Sequence, residues 1–246
     1  MQVTEKGITT STMTGDGRLA STEFAKLTLN EKIDFLLQLN GSNKASMILD
    51  DPNPERLIQS LPMWDIFQII HEVGAENAID IFQLATPEQV RFILDLELWE
   101  DWTISVEESV KWIEIILSTG DDNALRLLSE LDQELLIIFL KKTITVGGGL
   151  DDIINSEDHH GEWDHTFDEI FFLRIHDDEH SELTLKLLEF LFNQDHRLYR
   201  SLMLGVESEL MSELEETAGQ FRAGRLADEG LPASIDAAEY YARRMN

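Results

Sequence analysis

The 246-residue chain is strongly acidic, since 48 aspartates and glutamates against 19 lysines and arginines give a formal net charge of −29 at pH 7. This charge repels the phosphates of nucleic acids and the headgroups of anionic lipids, and it favours basic protein partners and divalent cations. Hydrophobic residues make up 43% of the chain, which is enough for a folded core, and without cysteine there are no disulfides and no thiolate chemistry.

The first 22 residues predict a disordered tail, because they are rich in serine, threonine and glycine and carry little apolar patterning. They lack the basic start and the apolar run of a signal peptide. No apolar stretch of the sequence approaches the length of a transmembrane helix. We therefore expect no membrane insertion and a cytoplasmic protein of the bacterial type.

Ordered structure is predicted from residue 23, beginning with helices at 23–40, 42–50, 54–60 and 63–73. Thr28 and Glu31 are spaced as a capping box, in which each side chain bonds the backbone amide of the other residue. Asn53, Pro54 and Glu55 place a cap residue, a proline at the first helical position and an acid in the first turn. Each of these helix starts is specified by a few neighbouring residues.

The next part of the chain repeats itself: residues 74–94 align without a gap with residues 120–140, 46 positions later. A weaker third copy precedes them and starts at Gly41 with an offset of 33. Self-similarity at such a period is typical of helical arrays, in which each helix pair buries its apolar face against the next pair. The residues shared by the two strong copies are identical or apolar in both: Gly74/Gly120, Asn77/Asn123, Ala78/Ala124, Glu88/Glu134, Ile79/Leu125, Ile81/Leu127, Phe82/Leu128, Val90/Leu136, Phe92/Ile138 and Leu94/Leu140.

These repeats predict a mostly all-α protein in which residues 23–146 form a right-handed superhelical array of helix pairs, of the armadillo type. Its other helices are expected at 75–84, 87–97, 106–118, 121–130 and 133–142. A 13-residue insertion between paired helices carries Trp99 and Trp102 on either side of two acids. Tryptophan is favoured at interface hot spots, so these two are candidate interaction residues. The alternative is that they seal the space between repeats.

The triple glycine Gly147–Gly149 ends the array and predicts a hinge or boundary. Residues 147–165 are predicted to form an acidic, histidine-rich linker, and residues 166–246 a smaller helical C-terminal part. Within that part, helices are expected at 183–192, 196–204, 207–221 and 234–243. The apolar run at 166–175 suits either a buried helix or a short strand, since its periodicity favours neither.

At the repeats the sequence resembles the cytosolic N-terminal domain of MgtE-type magnesium transporters and the related superhelix of the flagellar motor-switch protein. From about Ala45 to Tyr241 it is more closely similar to a family of uncharacterised bacterial proteins with such repeats, including the closing segment Arg225–Pro232. The resemblance implies a fold rather than a chemistry, because the matching positions are core and cap positions. In MgtE-type proteins this domain is a regulatory module associated with magnesium, but a transporter role does not carry over. The matching pattern is Asn77-Ala78, Ile81-Phe82, Pro87-Glu88, Val90 and Ile93-Leu94.

Residues 151–182 contain five of the seven histidines among many acids, and imidazole with carboxylate is the ligand set of zinc and other divalent metals. Residues 176–180 also satisfy the H-x-x-E-H pattern of a zinc hydrolase. Asp177 and Asp178 argue against that match, because the hydrolase helix carries apolar residues there. A solvated acidic loop is the simpler interpretation. The candidate metal ligands are His159, His160, His165, His176, Glu179 and His180.

Three functional hypotheses follow. The first is a non-enzymatic helical scaffold or protein-interaction module, with a protein partner that its charge predicts to be basic. The second is a regulatory module that responds to a divalent cation through residues 151–182, and the third is a metal-dependent hydrolase. The sequence favours the first, so we expect no catalytic residue and no cofactor, with a divalent metal ion as the alternative. Nucleic acid is not an expected partner, and the oligomeric state is not predicted.

Overall fold

The computed structural model describes residues 21–39, 41–74, 78–100, 102–149, 163–176 and 179–232. These residues are mostly helical, with two small antiparallel sheets of two strands each, which confirms the predicted all-α class in its coarse form. No helix in the described ranges is long and apolar enough to cross a membrane. The chain divides into two compact units between Ala85 and Thr86.

The first unit consists of helices joined by turns in its described residues. Its capping box is formed as predicted, with the Thr28 amide donating to Glu31 Oε2 at 2.8 Å. The fourth helix begins at Pro54, and the fifth is followed by Gly74, whose φ of 85° suits the glycine that ends a helix. The helices are α1 (Ser21–Phe24), α2 (Leu29–Leu36), α3 (Gly41–Leu49), α4 (Pro54–Gln59), α5 (Met63–Val73) and α6 (Ile79–Leu84).

Two ion pairs are buried in the apolar core of this unit. Lys32 Nζ lies 2.5 Å from Asp51 Oδ2, and Lys44 Nζ lies 3.4 Å from Asp65 Oδ1. Both lysines are buried, so each depends on its carboxylate to offset the loss of water around the ammonium group. The surrounding core includes Phe24, Leu36, Ile48, Leu57, Ile58, Ile66, Phe67, Ile81 and Phe82.

The second unit is built around one central helix, α10. All six of its residues from Leu135 to Leu140 are buried, and it contacts α8, α12 and α13. A helix that is apolar on every side belongs inside a protein. The elements are α7 (Pro87–Glu97), β1 (Trp99–Glu100), β2 (Thr103–Ile104), α8 (Val106–Leu117), α9 (Asp121–Glu130), α10 (Gln133–Thr143), β3 (Ile144–Gly148), β4 (Phe171–Ile175), α11 (Ser181–Gln194), α12 (His196–Ser208) and α13 (Met211–Asp228).

The second half of the apolar run at 166–175, for which the sequence favoured neither helix nor strand, forms a strand. β4 pairs antiparallel with β3, in the register Ile144↔Ile175 to Gly148↔Phe171. Gly147 and Gly148 of the triple glycine are therefore the last two residues of β3, and the expected hinge or boundary stays a prediction. Gly148 has a φ of 99°, and a Cβ there would collide with the Ile170 carbonyl oxygen. Only glycine fits this close approach of backbone to backbone.

The C-terminal helices are longer than the apolar pattern indicated, since α11, α12 and α13 extend past the ranges predicted for them. α13 continues to Asp228, and its last turns bury Arg222 and Leu226. The predicted helix at 234–243 lies outside the described residues. So do residues 1–20 of the predicted tail and residues 150–162 of the predicted linker.

Candidate functional site

The two tryptophans of the insertion lie on a short strand pair, β1 and β2, with Trp102 between the strands; we call this the Trp hairpin. Trp99 pairs with Ile104 and Glu100 pairs with Thr103. The Ser105 amide closes the hairpin by donating to the Leu98 carbonyl at 2.8 Å. Trp99 is half-buried, whereas Trp102 is 66% exposed. The predicted sealing role therefore fits Trp99, while Trp102 faces solvent.

Trp99 is held against α13. Gly219 lies beside the indole, since a Cβ there would be in ordinary van der Waals contact with its six-membered ring, at 3.9 Å. Three residues further along α13, the guanidinium of Arg222 lies 5.4 Å from the centroid of the Trp99 ring, within the range of a cation–π contact. The first strand of the Trp hairpin is thus fixed by a helix more than 100 positions later in the chain.

The second strand is bonded by Lys142 of α10. Its Nζ donates to the Ile104 carbonyl at 2.7 Å and lies 3.7 Å from Glu215 Oε1 on α13. Both strands of the Trp hairpin therefore contact helices, β1 through Trp99 on α13 and β2 through Lys142 of α10, and these contacts stabilise the backbone on either side of Trp102. Ordering the backbone in advance lowers the entropy that a partner must offset on binding.

Arg222 belongs to a buried charge network that the sequence analysis missed. Its Nε donates to the Asp95 carbonyl at 2.6 Å. Arg225 donates from Nε to Asp95 Oδ2 at 2.6 Å and from Nη2 to Oδ1 at 2.7 Å, and its Nη1 lies 2.8 Å from Asp132 Oδ2. Asp95 is fully buried, and burial raises the pKa of its carboxyl group, with Arg225 opposing that rise. An acid inside the apolar run of α7 was the one signal of this network in the sequence.

Two acids are exposed on the Trp hairpin and directly after it. Glu100 is exposed on β1, and Glu107 is exposed in the first turn of α8, directly after β2. Burial raises the pKa of Glu97, and the charge of Glu108 raises it further. Lys111 lies 2.8 Å from Glu108 and is paired with it.

The predicted metal ligands are placed at separate positions where they are described. His176 is engaged at both ring nitrogens, with Nδ1 2.9 Å from the Lys142 carbonyl oxygen and Nε2 2.9 Å from Thr145 Oγ1. His165 packs edge-on against Phe167 at 4.3 Å between ring centroids. Glu179 is exposed, and the carbonyl of His180 accepts the Thr184 amide at 3.1 Å as α11 begins.

No three histidines or acids among the described residues are arranged to share a metal ion. His159 and His160 lie outside the described residues, so the metal site stays a prediction.

A second group of buried polar atoms lies where the loop before β4 meets α12. Tyr199 is fully buried, and neither its hydroxyl nor Asp168 Oδ2 has a hydrogen-bond partner among the described residues. Burial raises the pKa of Tyr199, and the charge of Asp168 adds to the rise. Asp168 uses its other oxygen to accept the amides of Ile170 and Phe171, each at 2.9 Å. Four rings pack around the phenol, those of Phe167, Phe171, Phe192 and His196.

Comparison with known proteins identifies a family but no function. Neither a curated protein nor a solved structure matches the chain. Residues 21–245 match the model of DUF6178, described as a family of unknown function, which confirms that the chain belongs to an uncharacterised family. The likeness to the MgtE-type domain stays a prediction. The chain is a member of the DUF6178 family.

Proposed function

We propose that this member of the DUF6178 family is a non-enzymatic helical scaffold that binds another protein through the Trp hairpin. One observation carries the proposal: Trp102 is 66% exposed on a hairpin whose two strands are both tied to the helices beneath. Exposing a large aromatic side chain forgoes the stabilisation that its burial would bring. Interface hot spots are enriched in tryptophan, because it buries much area with few rotatable bonds.

We further propose that the helix pairs form a right-handed superhelix. The equivalent elements of the two strong repeats support this. A glycine of positive φ, Gly74 at 85° and Gly120 at 94°, precedes α6 and α9, and a longer helix follows each of them at α7 and α10. An experimental structure in which the repeats are not related by a common rotation would contradict the superhelix. The proposed location is the cytoplasm, which fractionation of source cells would test.

The test of the binding role compares Trp102→Ala with Phe221→Ala, a matched change at another exposed aromatic of the same unit, 47% exposed on α13. Each purified chain is used for affinity capture from extracts of the source organism. The captured protein is then purified and titrated against the wild type and both variants. We expect Trp102→Ala to weaken the complex by about 30-fold or more, the loss typical of a hot spot, and Phe221→Ala to leave it within about 2-fold.

Circular dichroism of both variants serves as the control for folding. Equal affinity of the wild type and Trp102→Ala for the captured protein would refute the role of the hairpin. A complex weakened equally by both variants would refute its specificity.

The two cation-based hypotheses remain predictions with no described geometry in their favour. His176, their most central ligand, already bonds Lys142 and Thr145. A thermal-shift titration of the full chain with millimolar Mg²⁺, Mn²⁺ and Zn²⁺, together with metal analysis of the purified protein, tests both. If zinc is found, Glu179→Gln distinguishes them, since it removes hydrolysis and retains metal binding in a hydrolase of this pattern.

A further inference from the structure

The outer face of the Trp hairpin combines an exposed aromatic ring with carboxylates. Side chains alternate across its strands: Trp99 and Ile104 face the helices, whereas Glu100 and Thr103 face solvent. Trp102 lies in the turn between them, and Glu107 follows directly on α8. The eight positions from 100 to 107 thus expose one indole ring and two carboxylates to solvent.

Three basic side chains on the helices that adjoin the Trp hairpin are engaged by other groups. Lys111 pairs with Glu108, and Lys142 lies beneath the hairpin, where it bonds Ile104 and Glu215. Arg222 is buried against Trp99. Among the described residues, these cations therefore leave Glu100 and Glu107 on the solvent side without an ion pair.

This combination recognises cations rather than apolar or anionic groups. The face of an indole attracts a guanidinium or ammonium group through its quadrupole, and carboxylates beside it add charge-assisted hydrogen bonds. An acidic or phosphorylated segment would be repelled by the same carboxylates. The overall charge of −29 draws a positively charged segment toward the protein from a distance.

We propose that the Trp hairpin is the docking site of a basic protein segment, with an arginine or lysine lying on the Trp102 indole and neighbouring basic residues paired with Glu100 and Glu107. This inference rests on the proposed function and names its partner class. Arginine suits the position best, because its planar guanidinium stacks on the ring while it donates in the plane to a carboxylate.

The test uses a defined probe in place of the unknown partner: an acetylated and amidated peptide of three arginines alternating with two glycines. It is titrated by calorimetry against the full chain at low salt. Because any polycation is attracted to a strongly acidic protein, two double variants with the same charge change are compared. Glu100→Gln with Glu107→Gln removes the charges at the hairpin. Glu182→Gln with Glu189→Gln removes two exposed charges from α11, one of them also in a first helical turn.

We expect the hairpin double variant and Trp102→Ala each to weaken peptide binding by about 5-fold or more, and the α11 double variant by less than about 2-fold. Fluorine NMR of 5-fluorotryptophan-labelled protein, assigned by Trp102→Phe, should show the Trp102 resonance shifting most. Equal losses in the two double variants, or an unmoved Trp102 resonance, would overturn the inference.

The outcome is separable from that for the proposed function. If the arginine peptide fails at the hairpin while a captured protein still depends on Trp102, only the partner class is wrong. If the Trp102-dependent partner is a second copy of this chain or an acidic protein, the binding role of the hairpin holds and the basic-segment inference is overturned. If neither the peptide nor any captured protein depends on Trp102, both proposals fall.

Discussion

Replacing Arg225 by methionine should strongly destabilise the second unit. Arg225 makes two hydrogen bonds to the fully buried Asp95, at 2.6 and 2.7 Å, and an ion pair with Asp132 at 2.8 Å. Methionine keeps much of the side-chain volume and removes the charge. Removing one partner of a buried ion pair costs about 3–5 kcal/mol, because the other charge is left uncompensated in the interior. We expect a loss of about 4 kcal/mol in the free energy of unfolding at pH 7.

The pH dependence of this loss identifies its cause. Burial raises the pKa of Asp95, so the folded state binds a proton more readily than the unfolded chain does. A raised carboxyl pKa makes stability fall as the pH rises through the folded-state value. Without Arg225 the pKa of Asp95 should rise further, since the nearest positive charge is gone. The cost of Arg225→Met should therefore be smaller at pH 5 than at pH 7.

The assay is urea unfolding at 25 °C, followed by circular dichroism and by tryptophan fluorescence, because the two units can unfold separately. Asp95→Asn and the double variant complete a thermodynamic cycle, and the double variant should be less destabilised than the sum of the single variants by about 2 kcal/mol. Lys111→Met is the matched control: its ion pair with Glu108 is exposed, so its loss should cost less than about 1 kcal/mol. A cost below about 1 kcal/mol for Arg225→Met, or additivity with Asp95→Asn, would refute the reasoning.

Three further predictions concern stability and use the same unfolding assay. Trp99→Ala should lower the free energy of unfolding by about 3 kcal/mol, because the indole packs on α13, whereas Trp102→Ala should change it by less than about 0.5 kcal/mol. Equal losses would contradict the division of roles between the two tryptophans. Tyr199→Phe should be neutral or stabilising by up to about 1 kcal/mol, since it removes a buried hydroxyl that has no partner among the described residues; a loss above about 1 kcal/mol would mean that the hydroxyl is bonded in solution. Gly148→Ala should cost more than about 2 kcal/mol, because it combines a φ of 99° with a collision at the Ile170 carbonyl; a neutral effect would contradict the close approach. As the control, Gly224→Ala has open space around its Cβ in α13 and should stabilise by about 0.5–1 kcal/mol.

The helices were predictable because their signals are local. Thr28 with Glu31 and Pro54 act within one turn of the helix that they begin, and the glycine at position 74 acts directly after the helix that it ends. A cap bonds groups three or four positions away, so neighbouring residues are enough to specify it. The length of α13 was less predictable, since Arg222 and Arg225 in its last turns bond Asp95 on α7.

The candidate site was only partly predictable. Both tryptophans were singled out, but nothing local distinguishes Trp99 from Trp102. Gly219 and Arg222 decide that difference, and they lie on a helix more than 100 positions away. The candidate metal ligands stay a prediction from proximity in sequence: among the described ones, His176 bonds Lys142 and Thr145, which are far from it in the chain.

The sequence by itself determined the acidic surface, the helical class and most helix starts, because charge is a property of composition and caps are formed by near neighbours. Only the tertiary structure decided that the apolar run at 171–175 is a strand, since its partner strand at 144–148 supplies the backbone groups that it bonds. The same holds for Asp95 and Arg225, which lie 130 positions apart. A buried charge is tolerated only where the fold places a counter-charge beside it, and neighbouring residues in the sequence do not predict such a pair.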